Sequence, residues 1–128
     1  MTTAAALRNR YARESVITAS PARLVTMLYD RLVRDLMSAE AALAGRDLGA
    51  AHNELMHAQA IVTELSLGLD ATAWSGGPGL AALYRFLLEE LVAANVNKDA
   101  ARIAGCREVV EPLRDAWHEA ANAAPATS

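Results

Sequence analysis

Cysteine is almost absent from this chain: Cys106 is the only one in 128 residues. An intramolecular disulfide is therefore impossible, and a reducing cytoplasm is the expected compartment. Aromatic residues make up only 5% and β-branched runs are rare, which leaves little material for a sheet. Neither sign of charge is in large excess, with 12 basic and 15 acidic residues and a net charge of −3. That balance excludes the clustered basic face of a nucleic-acid binder. No stretch approaches the roughly 18 to 20 uncharged apolar residues of a membrane span, so membrane insertion is not expected. The opening MTTAAALRNRYARES has basic residues but no apolar core long enough for a secretory signal.

What the chain has is alanine and leucine, both strong helix formers, within an apolar content of 53%. Ser20-Pro21 reads as an N-cap followed by proline at the first helical position. Leu24, Leu28, Leu32, Leu36, Ala39 and Leu43 follow at spacings of three and four, one face of a helix that Gly45 should end. Asp47 is the expected cap of a second helix with the stripe Leu48, Ala51, Leu55, Ala58, Val62, Leu65 and Leu69. Residues 70–79, DATAWSGGPG, read as a loop. A third helix should start near Gly79 and carry Leu80, Leu83, Leu87, Leu91 and Ala94, stopping around Asn95 to Lys98. Asp99 should cap a fourth, with Ile103, Cys106, Val110, Leu113 and Trp117 on its stripe. Cys106 thus reads as a buried structural thiol. Pro112 interrupts this last stripe, which nevertheless stays in phase; a kinked continuous helix and a break at Glu111 are both compatible with it.

Short connections make sequential helices antiparallel neighbours. The expected fold is therefore all-α: an antiparallel up-down four-helix bundle over 18–121, a mobile N-terminal arm over 1–17, and a disordered tail over 122–128. Leu113 and Trp117 belong to the expected core.

The helices carry more apolar surface than one core face requires. Val25, Tyr29 and Val33 form a second row on the first helix, extended by Met27 and Met37. Met56, Ile61 and Leu67 lie off the second seam, and Tyr84, Phe86, Leu88 and Val92 off the third. Each bundle helix meets two neighbours, so a wide core face explains any one of them. Together they also fit an apolar groove for a partner's amphipathic helix. Val25, Met27, Tyr29, Val33, Ile61, Tyr84 and Leu88 are the candidate partner-binding residues of the bundle. Tyr11, Val16 and Ile17 are those of the arm, which is either a movable cover of the groove or a fixed strap completing the core. Trp74 covers the bundle end or contacts a partner.

Catalytic chemistry finds no support. Glu54 and His57 match the Glu-x-x-His spacing of di-iron bundles, which need that motif twice. No second copy exists, and both residues lie off the seam, where a solvated face is expected; His52 and His118 are similarly isolated. No Walker, Gly-x-Ser-x-Gly or Gly-x-Gly-x-x-Gly motif occurs. The expectation is no catalytic residue, no metal ligand and no cofactor, with a cofactor- or metal-binding bundle as the rival class.

Five strings then stand out in order. Tyr11-Ala-Arg-Glu-Ser-Val16-Ile-Thr-Ala-Ser-Pro21, Met27-Leu28-Tyr29-Asp30, the run from His57 to Leu65, the run Leu91-Val92-Ala93-Ala94-Asn95 with Leu83-Tyr84 before it, and Leu113-Arg114-Asp115-Ala116-Trp117 resemble the flagellar secretion chaperone FliS family. The match spans about residues 11 to 119. Glu14, Arg31 and Pro78 depart from the usual pattern, and Glu89-Glu90 stand where basic residues are frequent, which inverts the local charge. The resemblance implies a non-enzymatic cytoplasmic chaperone. Its partner would be the C-terminal amphipathic segment of flagellin, kept from polymerising early and brought to the export gate. Tyr11 would also serve in docking at that gate.

Overall fold

The structure, a computed structural model, describes residues 21–123. The described residues form four helices: α1 (Pro21–Ala44), α2 (Leu48–Gly68), α3 (Gly77–Asn97) and α4 (Ala100–Ala123). α1 packs on α2 and α4, and α3 packs on the same two, so α1 and α3 face each other across the diagonal. Cross-links give the directions. Asp30 and Glu40 of α1 meet His118 and Arg107 of α4, in that order, so these two helices run oppositely. On the other side, His52 near the start of α2 bonds Asn95 near the end of α3.

Local chemistry sets the boundaries. The Asp47 carboxylate accepts the Ala50 N–H at 3.0 Å and caps α2 as expected. Asp99 does the same for α4, accepting from Ala101 and Arg102 at 3.1 and 3.3 Å. The first helix stops at Ala44, with Gly45 next as expected. The left-handed residue is Arg46, at φ 60°, and Gly45 has a negative φ. The Arg46 N–H bonds the Leu43 carbonyl and the Asp47 N–H bonds that of Ala42, the paired pattern of a Schellman motif. Lys98, at φ 50°, also ends α3 in the left-handed region, with its own N–H and that of Asp99 both directed to the Ala94 carbonyl. α3 begins two residues before the expected Gly79, because Pro78 falls in its first turn, where a missing N–H leaves no bond unmade. α4 runs unbroken through Pro112.

The expected stripes supply most of the core. Leu28, Leu32, Leu36 and Ala39 meet Leu55, Ala58, Val62 and Leu65, with Leu87, Leu91 and Ala94 from α3 and Ile103, Cys106 and Val110 from α4. The second rows are also covered. Tyr29, Val33 and Ile61 are sealed, since a bundle helix turns a wide face toward two neighbours. The stripe ends are different: Leu48 is exposed, and Leu24, Leu69, Leu80, Leu113 and Trp117 are only half-buried.

Polar clamps fasten α1 to its neighbours. Asp35 is 1% exposed and accepts from Arg31 Nε at 3.0 Å and from His57 Nδ1 of α2. His57 therefore faces α1, not solvent as its position off the α2 seam suggested. His118 is likewise not isolated, bonding Asp30 at 2.6 Å. Arg107 grips both oxygens of Glu40 at 2.7 and 3.1 Å.

Candidate partner-binding site

An up-down bundle brings the start of α1, the end of α2, the start of α3 and the end of α4 to one end. There the stripes run out together. Leu24, Val25 and Leu28 of α1 face Leu65 and Leu69 at the end of α2, Leu80 and Tyr84 of α3 and Trp117 of α4. They enclose an open-sided apolar cavity of about 420 Å³, which the connection 69–76 borders with Ala73 and Trp74.

That connection is folded on itself. Asp70 accepts from the Thr72 N–H at 3.0 Å and the Thr72 hydroxyl at 2.7 Å. These two bonds, the hydroxyl's first, hold the Asp70 carboxyl below its ordinary range. Glycine is required at its end. A Cβ on Gly76 would lie 2.2 Å from the Trp74 ring, and one on Gly77 would lie 2.2 Å from the Ala71 carbonyl oxygen. The close approach lets the Trp74 indole lie flat beside the start of α3 while remaining half-exposed.

The inner wall is aromatic and polar at one point. The Tyr29 and Tyr84 hydroxyls bond each other at 2.7 Å across the diagonal. Trp117 lies against Tyr29, with ring centroids 6.2 Å apart and planes tilted by 38°. Burial pushes both phenols above their ordinary pKa, so they stay protonated and the bridge persists through the neutral range. Among the described residues, the charged side chains lining the cavity are Glu64, itself buried, and Asp70.

A shallower groove runs between α3 and α4, lined by Phe86, Gly105 and Val109 with Glu90 and Arg102 at its edge. Cys106 forms part of its floor, and burial, helped by the Glu90 carboxylate, pushes its thiol up to about 11. Among the described residues no three His, Cys, Asp or Glu side chains group as metal ligands. His57 is engaged with Asp35.

Of the residues the sequence singled out, Val25 and Tyr84 line the cavity. Met27 and Leu88 are half-buried against the core. Tyr29, Val33 and Ile61 lie behind the surface. Tyr11, Val16 and Ile17 fall outside the described residues. Trp74 both borders the cavity and meets solvent. Leu24, Leu65, Leu69, Leu80 and Trp117 were assigned to the seams and not to a site. Their signal was positional, since each lies at or next to the end of a stripe at the same end of an up-down bundle.

The sequence model of the family described as flagellar protein FliS matches residues 3–124. The chain belongs to this family. The flagellar secretion chaperone FliS of Bacillus subtilis (strain 168) is 31% identical over 110 residues, covering 86% of this chain and 82% of that protein. FliS is a chaperone family and not an enzyme family. The expected role in flagellar secretion follows from membership. No helix among the described residues is long and apolar enough to cross a membrane.

Proposed function

We propose that this FliS-family chain binds the C-terminal amphipathic segment of newly made flagellin in the cytoplasm, keeps it from polymerising early and helps deliver it to the export gate. One observation carries the reading: the ends of all four helices leave an open apolar cavity of about 420 Å³ at one end of the bundle. An amphipathic helix shielded from its filament neighbours needs such a surface. Val25 and Tyr84 would touch the segment, with Met27 and Leu88 extending the contact. Tyr29, Val33 and Ile61 would act from behind by holding the wall in place. The arm carrying Tyr11, Val16 and Ile17 would compete for the cavity. The ordering cost of a disordered segment keeps such binding reversible, and no nucleotide, metal or cofactor is required.

Calorimetric titration of the flagellin C-terminal segment into the full chain tests this. The expected result is one-to-one binding with a negative heat-capacity change. No binding at tens of micromolar by the folded protein overturns it. Removing residues 1–17 should tighten binding if the arm competes, because affinity falls with the fraction of molecules whose site is open. Weaker binding together with a lower Tm would make the arm a strap.

A further inference from the structure

Trp74 is held half in water at the edge of an apolar cavity. Its side chain borders that space, yet the residue is 50% exposed, and few side chains gain more from burial than tryptophan. The connection that carries it is not loose. The Ala73 N–H bonds the Asp70 carbonyl at 3.1 Å, and the Gly77 N–H bonds the Trp74 carbonyl at 3.1 Å. Successive turns thus tie the Trp74 backbone to the start of α3, and only the torsions of its side chain are left to set.

Glycine sets them. A Cβ on Gly76 would fall 2.2, 2.7 and 2.8 Å from three carbons of the indole's six-membered ring. Non-bonded carbons keep about 3.5 Å or more, so the ring occupies space that any other residue's Cβ would fill. The next glycine has a different neighbour. At Gly77 an added Cβ would meet the main chain of Ala71, with the carbonyl oxygen at 2.2 Å. Gly77 therefore serves the backbone path of the connection, whereas Gly76 serves the side chain of Trp74. A clash at 76 is relieved by swinging the indole away; a clash at 77 moves the main chain.

A ring seated on backbone at the rim of a cavity has already given up its rotamer freedom, so a ligand that packs on it does not bear that cost. Tryptophan is also prominent among the residues that dominate binding energy at interfaces. We propose that Trp74 is a preordered contact for a bulky apolar side chain of the bound segment, and that Gly76 is the positioning residue that holds its indole at the rim. The inference rests on the export-substrate reading above and deepens it: the segment meets a fixed aromatic edge as well as an apolar space.

The test is a double-mutant cycle. The flagellin C-terminal segment is titrated into the full chain and into its Trp74→Ala, Gly76→Ala and doubly substituted forms. Trp74→Ala should weaken binding by about tenfold or more. Gly76→Ala should weaken it by about three- to tenfold while the indole is present, and by less than about 1.5-fold once the indole is gone. An equal Gly76→Ala loss in both backgrounds overturns the positioning role. Binding by Trp74→Ala within about twofold of the native chain overturns the contact itself. A second measurement leaves the site unsubstituted. In the full chain labelled with fluorotryptophan, the signal that Trp74→Phe removes should shift in fluorine NMR when the segment saturates the native protein. A signal that stays in place overturns the contact. These failures leave the chaperone reading intact, whereas failure of the segment to bind the native chain at all overturns both.

Discussion

The two ends of this bundle are built from the same kind of stripe and differ in how they close. At one end α1 passes to α2 through 45–47 and α3 to α4 through 98–99, each connection fixed by a left-handed residue and an aspartate cap. The seam there is covered, with Ala39, Ala51, Ala94 and Ile103 all fully buried, although the outermost stripe residue Leu48 is exposed. At the other end only 69–76 joins two helices. The seam residues there are large, and Leu24, Leu69, Leu80 and Trp117 remain half-buried around a cavity. The half with the short connections is sealed, whereas the half around 69–76 keeps an open apolar cavity.

The largest effect should separate the halves directly. Leu55→Ala or Leu91→Ala, both fully buried, should cost about 2 to 5 kcal/mol in chemical denaturation. Leu24→Ala or Leu80→Ala should cost less than about 1.5 kcal/mol, since little area leaves solvent at either site. Equal losses would break the comparison. Next come the clamps. Asp35→Asn should lose about 2 to 3 kcal/mol, because it removes a buried charge from two partners. Asp30→Asn should lose less than about 1 kcal/mol, its pair with His118 being 43% exposed on both sides.

A pH measurement probes the sealed half next. The Cys106 thiol is raised from 9.0 to about 11 in the fold. A group that folding keeps protonated contributes its stability below the unfolded value and loses it as pH climbs to the folded one. Native stability relative to Cys106→Ala should therefore fall between pH 9 and about 11, by about 2 kcal/mol. A flat difference would show that the thiol reaches water. The smallest effect is a gain. Arg46→Gly removes the strain of a side chain at φ 60° and should add about 0.5 to 1 kcal/mol; a loss would mean that the Arg46 side chain contributes more than its backbone costs.

Helix number, order and caps were legible because spacing and capping chemistry are local. Asp47 and Asp99 carry their function in their own side chains, and the stripes name the core of each helix. Gly45 marked the end of α1, which stops at Ala44, while the hydrogen bonds there place the left-handed conformation on Arg46. His57 misled because its partner, Asp35, is 22 residues away on another helix, and no spacing rule along one helix reports on that. The site was half legible. Val25 and Tyr84 stood out as surplus apolar residues. Tyr29, Val33 and Ile61 did too, but a helix with two neighbours buries a second row. Asp70 gave no local sign of lining the cavity, since the folded connection brings it there.

The hydroxyl bridge between Tyr29 and Tyr84 also constrains how the chain can change over generations. Each phenol is the other's partner in a covered place, so changing either to phenylalanine strands a buried oxygen at a cost of about 1 to 3 kcal/mol. Changing both removes the two hydroxyls together and should cost less than the two single changes combined. The two positions, 55 residues apart, should therefore vary as a pair. Lineages should carry two tyrosines or two phenylalanines, and the mixed state should be a valley that drift crosses quickly or not at all.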